Sequence, residues 1–446
     1  MRKLFGTDGI RAVAGQSPLD ARTIFAIGQA LAHSLGKSPK IILGMDTRES
    51  SNWIAATLTA GLKSAGATVE SAGVITTPAI AHLAHTHNFS AGIVISASHN
   101  PWQDNGIKIF GHDGYKLADE VELAIEDEIF RHLETAEAPD PATLTPPEVN
   151  DSYRTDYVTF LRNAVPGLSL DNHRIVVDCA NGAASTVAPQ LFADLGGEVV
   201  ITHAAPTGRN INLQCGALHA EVVAKEVVDQ KAALGITLDG DADRALFADQ
   251  HGNVVNGDAV MLLAARDLKA QNALANNTVV ATTMSNMGLE AALKRSGIQM
   301  LRAPVGDKYV LEQMKSTGAS LGGEQSGHIL FNGRSTTGDG LLTALLLLDI
   351  LHRSGQTLDQ QLADLKTFPQ IIINIKVREK KPLLEIPSVA SAISAAESAL
   401  QDSGRVVIRY SGTEALARVM IEAEDHTQMK LHSEAIANAI RSELGI

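Results

Sequence analysis

Apolar residues along the chain fall into short β-branched runs separated by amphipathic stretches, and the alternation recurs three times. In the first copy, Lys40 to Gly44 predicts a strand, Asn52 to Ser64 a helix, Thr68 to Glu70 a strand, Ala79 to His85 a helix, and the run around Ile93 a third strand. The second copy predicts strands at Arg174 to Cys179, Glu198 to Ile201 and Gly235 to Asp239, with helices at Ala184 to Leu195 and Ala220 to Ala233 between them. The third predicts strands at Thr278 to Thr282, Ile298 to Leu301 and Ser320 to Gly322, with helices at Gly288 to Ser296 and Lys308 to Ser316. Strands and helices alternating at these lengths imply parallel βαβ layering. Beyond Phe368-Pro369 the pattern changes. A strand at Gln370 to Val377, a helix at Val389 to Leu400, strands at Arg405 to Arg409 and Arg418 to Glu422, and a closing helix make a smaller α+β unit. The stretch Ala136 to Pro147, rich in Pro, Thr and acidic residues, reads as a surface excursion or linker. The expected fold class is therefore α/β. Three similar mixed or parallel α/β domains (1–152, 153–255 and 256–367) and a smaller C-terminal α+β domain (368–446) would surround a central cleft.

Composition narrows the function more than the fold. A net charge of -13 and the lack of an aromatic-interleaved basic patch argue against a nucleic-acid partner. The two cysteines, Cys179 and Cys215, are far apart and suggest neither a disulfide framework nor a zinc site; Cys179 reads as a small core residue. The first residues hold no hydrophobic signal stretch. The longest apolar run, Leu341 to Leu351, is too short to span a bilayer and reads as a core helix. A cytoplasmic protein with no membrane partner is expected.

The chemistry concentrates in loops after strands. Ile93-Val94-Ile95 runs into Ser96-Ala97-Ser98-His99-Asn100-Pro101, where Pro101 forces a turn and sets Ser98 just past a strand's carboxyl end. Open α/β sheets bind ligands at that edge. By itself Ser98 is as much a turn residue as a nucleophile. Asp239, Asp241 and Asp243 alternate, so in an extended loop three hard oxygen ligands could converge on Mg²⁺ or Ca²⁺. An EF-hand is rejected, because its sixth and twelfth positions hold Arg244 and Gln250. Arg244 fits as a clamp on a phosphoryl oxygen. Glu324, Ser326 and His328 cluster between glycines in a loop suited to sugar hydroxyls, although alone they describe a flexible turn. Arg409-Tyr410-Ser411-Gly412-Thr413-Glu414, with Arg418, has the make-up of an anion cradle and equally that of an ordinary hairpin. Gly6-Thr7-Asp8-Gly9-Ile10-Arg11 is a further glycine-rich loop with one arginine. Lys108 follows Ser98 closely enough to face it, yet a lone lysine is more often solvated.

Taken together and in this order, the loops resemble those of the α-D-phosphohexomutase superfamily over the full length. Phe5 to Arg11, Thr283-Met284-Ser285-Asn286-Met287-Gly288, Thr336-Thr337-Gly338-Asp339-Gly340 and Ser411 to Glu414 point to its amino-sugar branch. The resemblance implies an isomerase that interconverts glucosamine 6-phosphate and glucosamine 1-phosphate, feeding UDP-N-acetylglucosamine and cell-wall synthesis. It implies that Ser98 carries a phosphoryl group and that Ser98, Asp239, Asp241 and Asp243 hold one Mg²⁺ per subunit. Glucosamine 1,6-bisphosphate would be primer and intermediate. Thr7, Arg11, Arg244, Glu324, Ser326, Arg409, Ser411, Gly412, Thr413 and Arg418 would bind substrate. His99, Lys108 and His328 would serve proton transfer or charge neutralisation, and the sequence does not rank them. The partner would be a small phosphosugar, and a homodimer is compatible with the resemblance. Alternatives are a phosphomannomutase or phosphoglucomutase, since the substrate's C2 group is not clearly encoded, and a Mg²⁺-dependent sugar phosphatase. Four positions depart from the family's habit: Ala12 and Ala242 stand for Gly, Lys308 for Arg and Ala415 for Pro. Ala242 should be tolerated unless that residue needs φ > 0.

Overall fold

The computed structural model describes residues 4–6, 8–135, 137, 139–193, 195–411 and 415–446, and of residue 402 the backbone alone. The chain forms two compact units, residues 1–284 with 300–363 and residues 285–299 with 364–446.

Three sheets in the first unit share a plan. In the first, the strand order is Ile10–Val13, Asp104–Gly111, Ala91–Ile95, Lys40–Met45, Thr68–Val74. Lys40–Met45 runs parallel to both Ala91–Ile95 and Thr68–Val74, while Asp104–Gly111 returns antiparallel to Ala91–Ile95. The second sheet repeats this with Val254–Val255, Ala245–Asp249, Leu234–Leu238, Arg174–Asp178 and Glu198–Thr202, and Ala245–Asp249 is the antiparallel return. The third has Gln299–Ala303, Thr278–Thr282, Leu321–Gly323 and Ile329–Phe331, again with an antiparallel return. Each turn from parallel strand to return strand is one of the three loaded loops: 96–103, 239–244 and 324–328.

The sheets are thus mixed. The return strands are absent from the hydrophobic pattern for a physical reason. Asp104–Gly111 carries Asp, Asn, two Gly and Lys in a strand whose residues 105–110 are all buried, so no apolar run marks it. Ala245–Asp249 and Ile329–Phe331 are too short to show a period. The helix expected at Ala184 to Leu195 is interrupted: a 3₁₀ turn at Ala183–Thr186 precedes a helix at Ala188–Ala193. Pro189, which has no N–H to donate, is tolerated only in a helix's first turn. The expected linker holds a 3₁₀ turn at Pro141–Thr143; Ala136 and Ala138 lie outside the described residues. The Leu341 to Leu351 run lies in a helix, Gly340–Ser354, buried along most of its length and capped by Asp339, whose carboxylate accepts from Leu342 N. Cys179 and Cys215 are buried and free. No described helix is long and apolar enough to cross a membrane.

The second unit is a three-stranded antiparallel sheet in the order Gln370–Lys376, Leu416–Ala423, Gly404–Tyr410. Helices Pro387–Leu400 and His426–Leu444 pack Val389, Ile393, Ile436 and Ile440 against Val419 and Ile421. Asn286 joins it by exchanging hydrogen bonds with the Phe368 backbone, Nδ2 to O at 3.0 Å and N to Oδ1 at 2.9 Å.

Candidate active site

Ser98 sits immediately past Ala91–Ile95 in the left-handed backbone region, φ +53°. For a non-glycine residue that conformation costs roughly 1–2 kcal/mol, so the surroundings must hold it. Ser98 N donates to Ser96 Oγ at 2.9 Å. Ser98 Oγ donates to Asp239 Oδ2 at 2.5 Å and lies 3.2 Å from His99 Nδ1. The approach of the two loops depends on Gly240, where a Cβ would stand 2.5 Å from the Ser98 carbonyl oxygen.

The three aspartates converge as their spacing predicts. Each offers a carboxylate oxygen within 4.8 Å of the others, and all three side chains are buried. Asp241 Oδ1 and Asp243 Oδ1 are buried without a hydrogen bond. Burial, then the like charges of Asp243 and Asp241, push the Asp239 carboxyl well above the ordinary range. Packed carboxylates with orphaned oxygens and mutual repulsion are the donor set a hard divalent cation fits, and the triad fits such an ion by that test.

Lys108 is not the solvated lysine its isolation in sequence suggests. It is 1% exposed, and its Nζ lies 2.8 Å from Asp241 Oδ2, 3.0 Å from Asp8 Oδ2 and 3.3 Å from Asp243 Oδ2. Burial alone would lower its pKa, but attraction by Asp241, Asp8 and Asp243 outweighs it and holds the ammonium charged. Asp8, Lys116 and Asp307 extend the network: Lys116 Nζ donates to Asp8 Oδ1 at 2.5 Å and Asp307 Oδ2 at 2.6 Å. Thr77 Oγ1 donates to Asp241 Oδ2 at 2.5 Å. Sequence reasoning missed these four as site residues, since each is an ordinary polar residue in its local context. Only Asp8 carried a signal, its place in the glycine-rich loop with Arg11.

Beside this network opens a cavity of about 370 Å³ lined by Arg11, His99, Asp243, Arg244, Glu324 and His328 among others. Arg11 donates to the Ala97 carbonyl at 3.3 Å and pairs with Asp8. Burial, followed by the Arg244 and Arg11 charges, lowers the His99 imidazole to about 4, so it is neutral at pH 7. His328 Nε2 accepts from Gly338 N at 3.1 Å, which puts the ring proton on Nδ1, facing Asp243 Oδ1 at 3.7 Å. Glu324 Oε1 accepts from Gly306 N at 3.1 Å, and Ser326 Oγ donates to Glu324 Oε2 at 3.2 Å. Three loops from three sheets therefore meet around one cavity. Thr7, Gly412 and Thr413 lie outside the described residues.

Models of the phosphoglucomutase/phosphomannomutase α/β/α domains I, II and III match residues 2–136, 155–252 and 256–368, and the model of the C-terminal domain matches residues 372–439. A phosphoglucosamine mutase of Koribacter versatilis (strain Ellin345) is 60% identical over 454 residues, spanning 100% of this chain and 98% of its own. The chain belongs to the phosphoglucomutase/phosphomannomutase family. A second family member, a phosphoglucosamine mutase of Solibacter usitatus (strain Ellin6076), is 53% identical over 100% of this chain and 99% of its own. Among solved structures of the fold, a family protein from Burkholderia thailandensis superposes with a TM-score of 0.78 at 23% identity, covering 99% of each chain. The Aspergillus fumigatus N-acetylphosphoglucosamine mutase in complex with GlcNAc-6P and magnesium gives 0.64 at 21% identity, covering 99% of this chain and 96% of that one.

Ala242 is expected to be tolerated unless the position needs φ > 0, and it does occupy a positive-φ position, at +57°, with its methyl fully buried, so the exception applies. In the second unit, Arg409 and Arg418 are direct partners across adjacent antiparallel strands. Like charges so placed repel unless an anion lies between them. Ser411, next to them, is buried, and its carbonyl accepts from Lys380 Nζ at 2.6 Å.

Proposed function

We infer that the chain has phosphoglucosamine mutase activity, interconverting glucosamine 6-phosphate and glucosamine 1-phosphate. Ser98 is the phosphoryl carrier in this reading, and glucosamine 1,6-bisphosphate is the primer and intermediate. The observation that carries it is the buried Ser98 hydroxyl held 2.5 Å from Asp239 of the metal-fitting triad and 3.2 Å from His99, which lines the cavity. The 60% identity to a protein named phosphoglucosamine mutase supports the choice of amino sugar.

Phosphorylated Ser98 gives its phosphoryl group to the free sugar hydroxyl: the Oγ–P bond breaks as the sugar O–P bond forms, and the proton lost by that hydroxyl is balanced by the one taken up on Ser98 Oγ. The bisphosphate turns, and its other phosphate returns to Ser98. Such transfer needs position and electrostatics more than covalent chemistry from the protein. The triad, with Ser98, is assigned one Mg²⁺, whose charge when bound offsets that developing on the transferring group. His99, neutral and beside Ser98 Oγ, takes the serine proton when Ser98 is rephosphorylated. Lys108, held cationic, neutralises charge, and His328 turns its Nδ1 proton toward Asp243. Arg11 and Arg244 grip the near phosphate, and Glu324 and Ser326 meet sugar hydroxyls. Arg409, Ser411, Gly412, Thr413 and Arg418 hold the far phosphate. The four domains keep the expected boundaries in this reading, the enzyme works in the cytoplasm, and a homodimer is compatible with it.

The test compares turnover of glucosamine 6-phosphate, glucose 6-phosphate and mannose 6-phosphate by the purified chain with Mg²⁺ and bisphosphate primer. The amino sugar should have the highest kcat/KM by tenfold or more. Preference for a neutral sugar contradicts the substrate assignment, and release of inorganic phosphate without need of primer contradicts the mutase.

A further inference from the structure

Asp46, Thr47 and Arg48 follow the strand Lys40–Met45, whose end is level with that of Ala91–Ile95 (Met45 pairs with Ile95). The two loops therefore leave the sheet side by side. Arg48 and Asp46 have fully buried side chains, joined Nε to Oδ2 at 2.8 Å. The guanidinium spends its remaining donors on backbone of the Ser98 loop. Nη2 donates to Ser98 O and Asn100 O, each at 2.9 Å, and Nη1 donates to Asp104 O at 3.0 Å and to Pro101 O. Asp46 Oδ2 also accepts from Ser96 Oγ at 2.6 Å, and that oxygen in turn accepts from Ser98 N at 2.9 Å. One buried ion pair thus grips Ser98 by its N–H, through Ser96, and by its carbonyl, through Arg48. Asn212 Nδ2 donates to the same carbonyl at 2.9 Å.

We propose that Arg48, seated on Asp46, is the positioning residue that holds Ser98 in its left-handed conformation, with Oγ aimed at the triad. The proposal rests on the reading of Ser98 as phosphoryl carrier. A carbonyl cluster needs a planar fork of donors, which a lysine ammonium does not reproduce. Neither Arg48 nor Asp46 lines the cavity, so their effect on turnover passes through Ser98.

The test uses the full chain as Arg48→Lys, Ser96→Ala and Ser98→Ala. For each, kcat, KM, the Mg²⁺ half-saturation point, the thermal transition, and the single-turnover rate constant for transfer from glucose 1,6-bisphosphate to dephosphorylated enzyme are measured. A displacement of about 1 Å at a reacting atom costs on the order of 100-fold. Arg48→Lys should lose about that in kcat and in the single-turnover constant, with KM and the Mg²⁺ response within about threefold of wild type. Ser96→Ala, which removes half of the grip, should lose about tenfold. The single-turnover constant does not depend on the fraction of enzyme folded, so it separates positioning from instability. If Arg48→Lys does not fold, Ser96→Ala decides. Wild-type single-turnover constants in Ser96→Ala, or in a folded Arg48→Lys, overturn the proposal when Ser98→Ala is inactive. Substantial mutase turnover by Ser98→Ala overturns the carrier reading beneath it.

Discussion

Replacing Lys108 by Met removes a cation that stands within 3.3 Å of all three of Asp8, Asp241 and Asp243, at a site where the lysine is 1% exposed. Met is close in shape, so packing is largely conserved and the loss is electrostatic. Removing one partner of a buried ion pair typically costs about 3–5 kcal/mol, because the remaining charge stays buried and unpaired. Lys108 serves three carboxylates, so the upper half of that range is expected in the presence of EDTA. The unit that carries it has roughly 350 residues, and at about 2 cal/mol/K of unfolding entropy per residue each kcal/mol moves its midpoint by about 1.4 °C. Lys108→Met should therefore melt about 5–7 °C below wild type in EDTA. Millimolar Mg²⁺ should recover most of that difference, since a divalent ion on the triad replaces the missing positive charge. Differential scanning calorimetry with and without Mg²⁺ reads both effects. Equal midpoints in EDTA would show that Lys108 does not neutralise the triad. An unrecovered loss in Mg²⁺ would show that the triad does not hold the ion.

Asp339 gives a pH signature. Burial raises its carboxyl to about 6 against hydrogen bonds from Leu342 N and Tyr157 Oη, so between about pH 4 and 6 the folded state binds more protons than the unfolded one, and stability falls as pH rises through that window. The full cost above pH 6 is about 3 kcal/mol. Asn caps helices as well as Asp, so Asp339→Asn should gain about that much relative to wild type between pH 4 and 7 in urea titrations; a pH-independent difference rejects the shift. Asp241→Asn should weaken the Mg²⁺ requirement and activity together, and an unchanged metal response removes Asp241 from the ligand set. Arg409→Ala should raise KM by roughly tenfold or more, the worth of about 1.5–3 kcal/mol for a charge-assisted hydrogen bond, while an unchanged KM removes Arg409 from the phosphate site.

What the sequence made legible follows from where the information lies. Ser98, the aspartates and the Glu324 to His328 loop could be read because each follows a strand that periodicity reveals, and because their residue types are chemically unusual together. The return strand Asp104–Gly111 could not, because its residues pack on both faces of the sheet without forming an apolar run. Lys108 lies on it, and no local pattern separates a lysine neutralising three carboxylates from one facing water. Asp46 and Arg48 were readable in principle. They end a predicted strand, and parallel neighbours bring their ends to one edge, but the pairing of Lys40–Met45 with Ala91–Ile95 is a fact of topology rather than of local pattern. Ala242 shows the opposite case: the sequence marked the position, and only the structure shows that its backbone is left-handed, at φ +57°.

The central claim is that one serine oxygen carries the travelling phosphoryl group. Enzyme exposed to glucosamine 1,6-bisphosphate, digested and analysed by mass spectrometry, should carry a single phosphate on the peptide containing Ser98, and chase with glucosamine 6-phosphate should discharge it into sugar bisphosphate. Finding that peptide unmodified while the enzyme turns over, or finding the phosphate on another residue, contradicts the account.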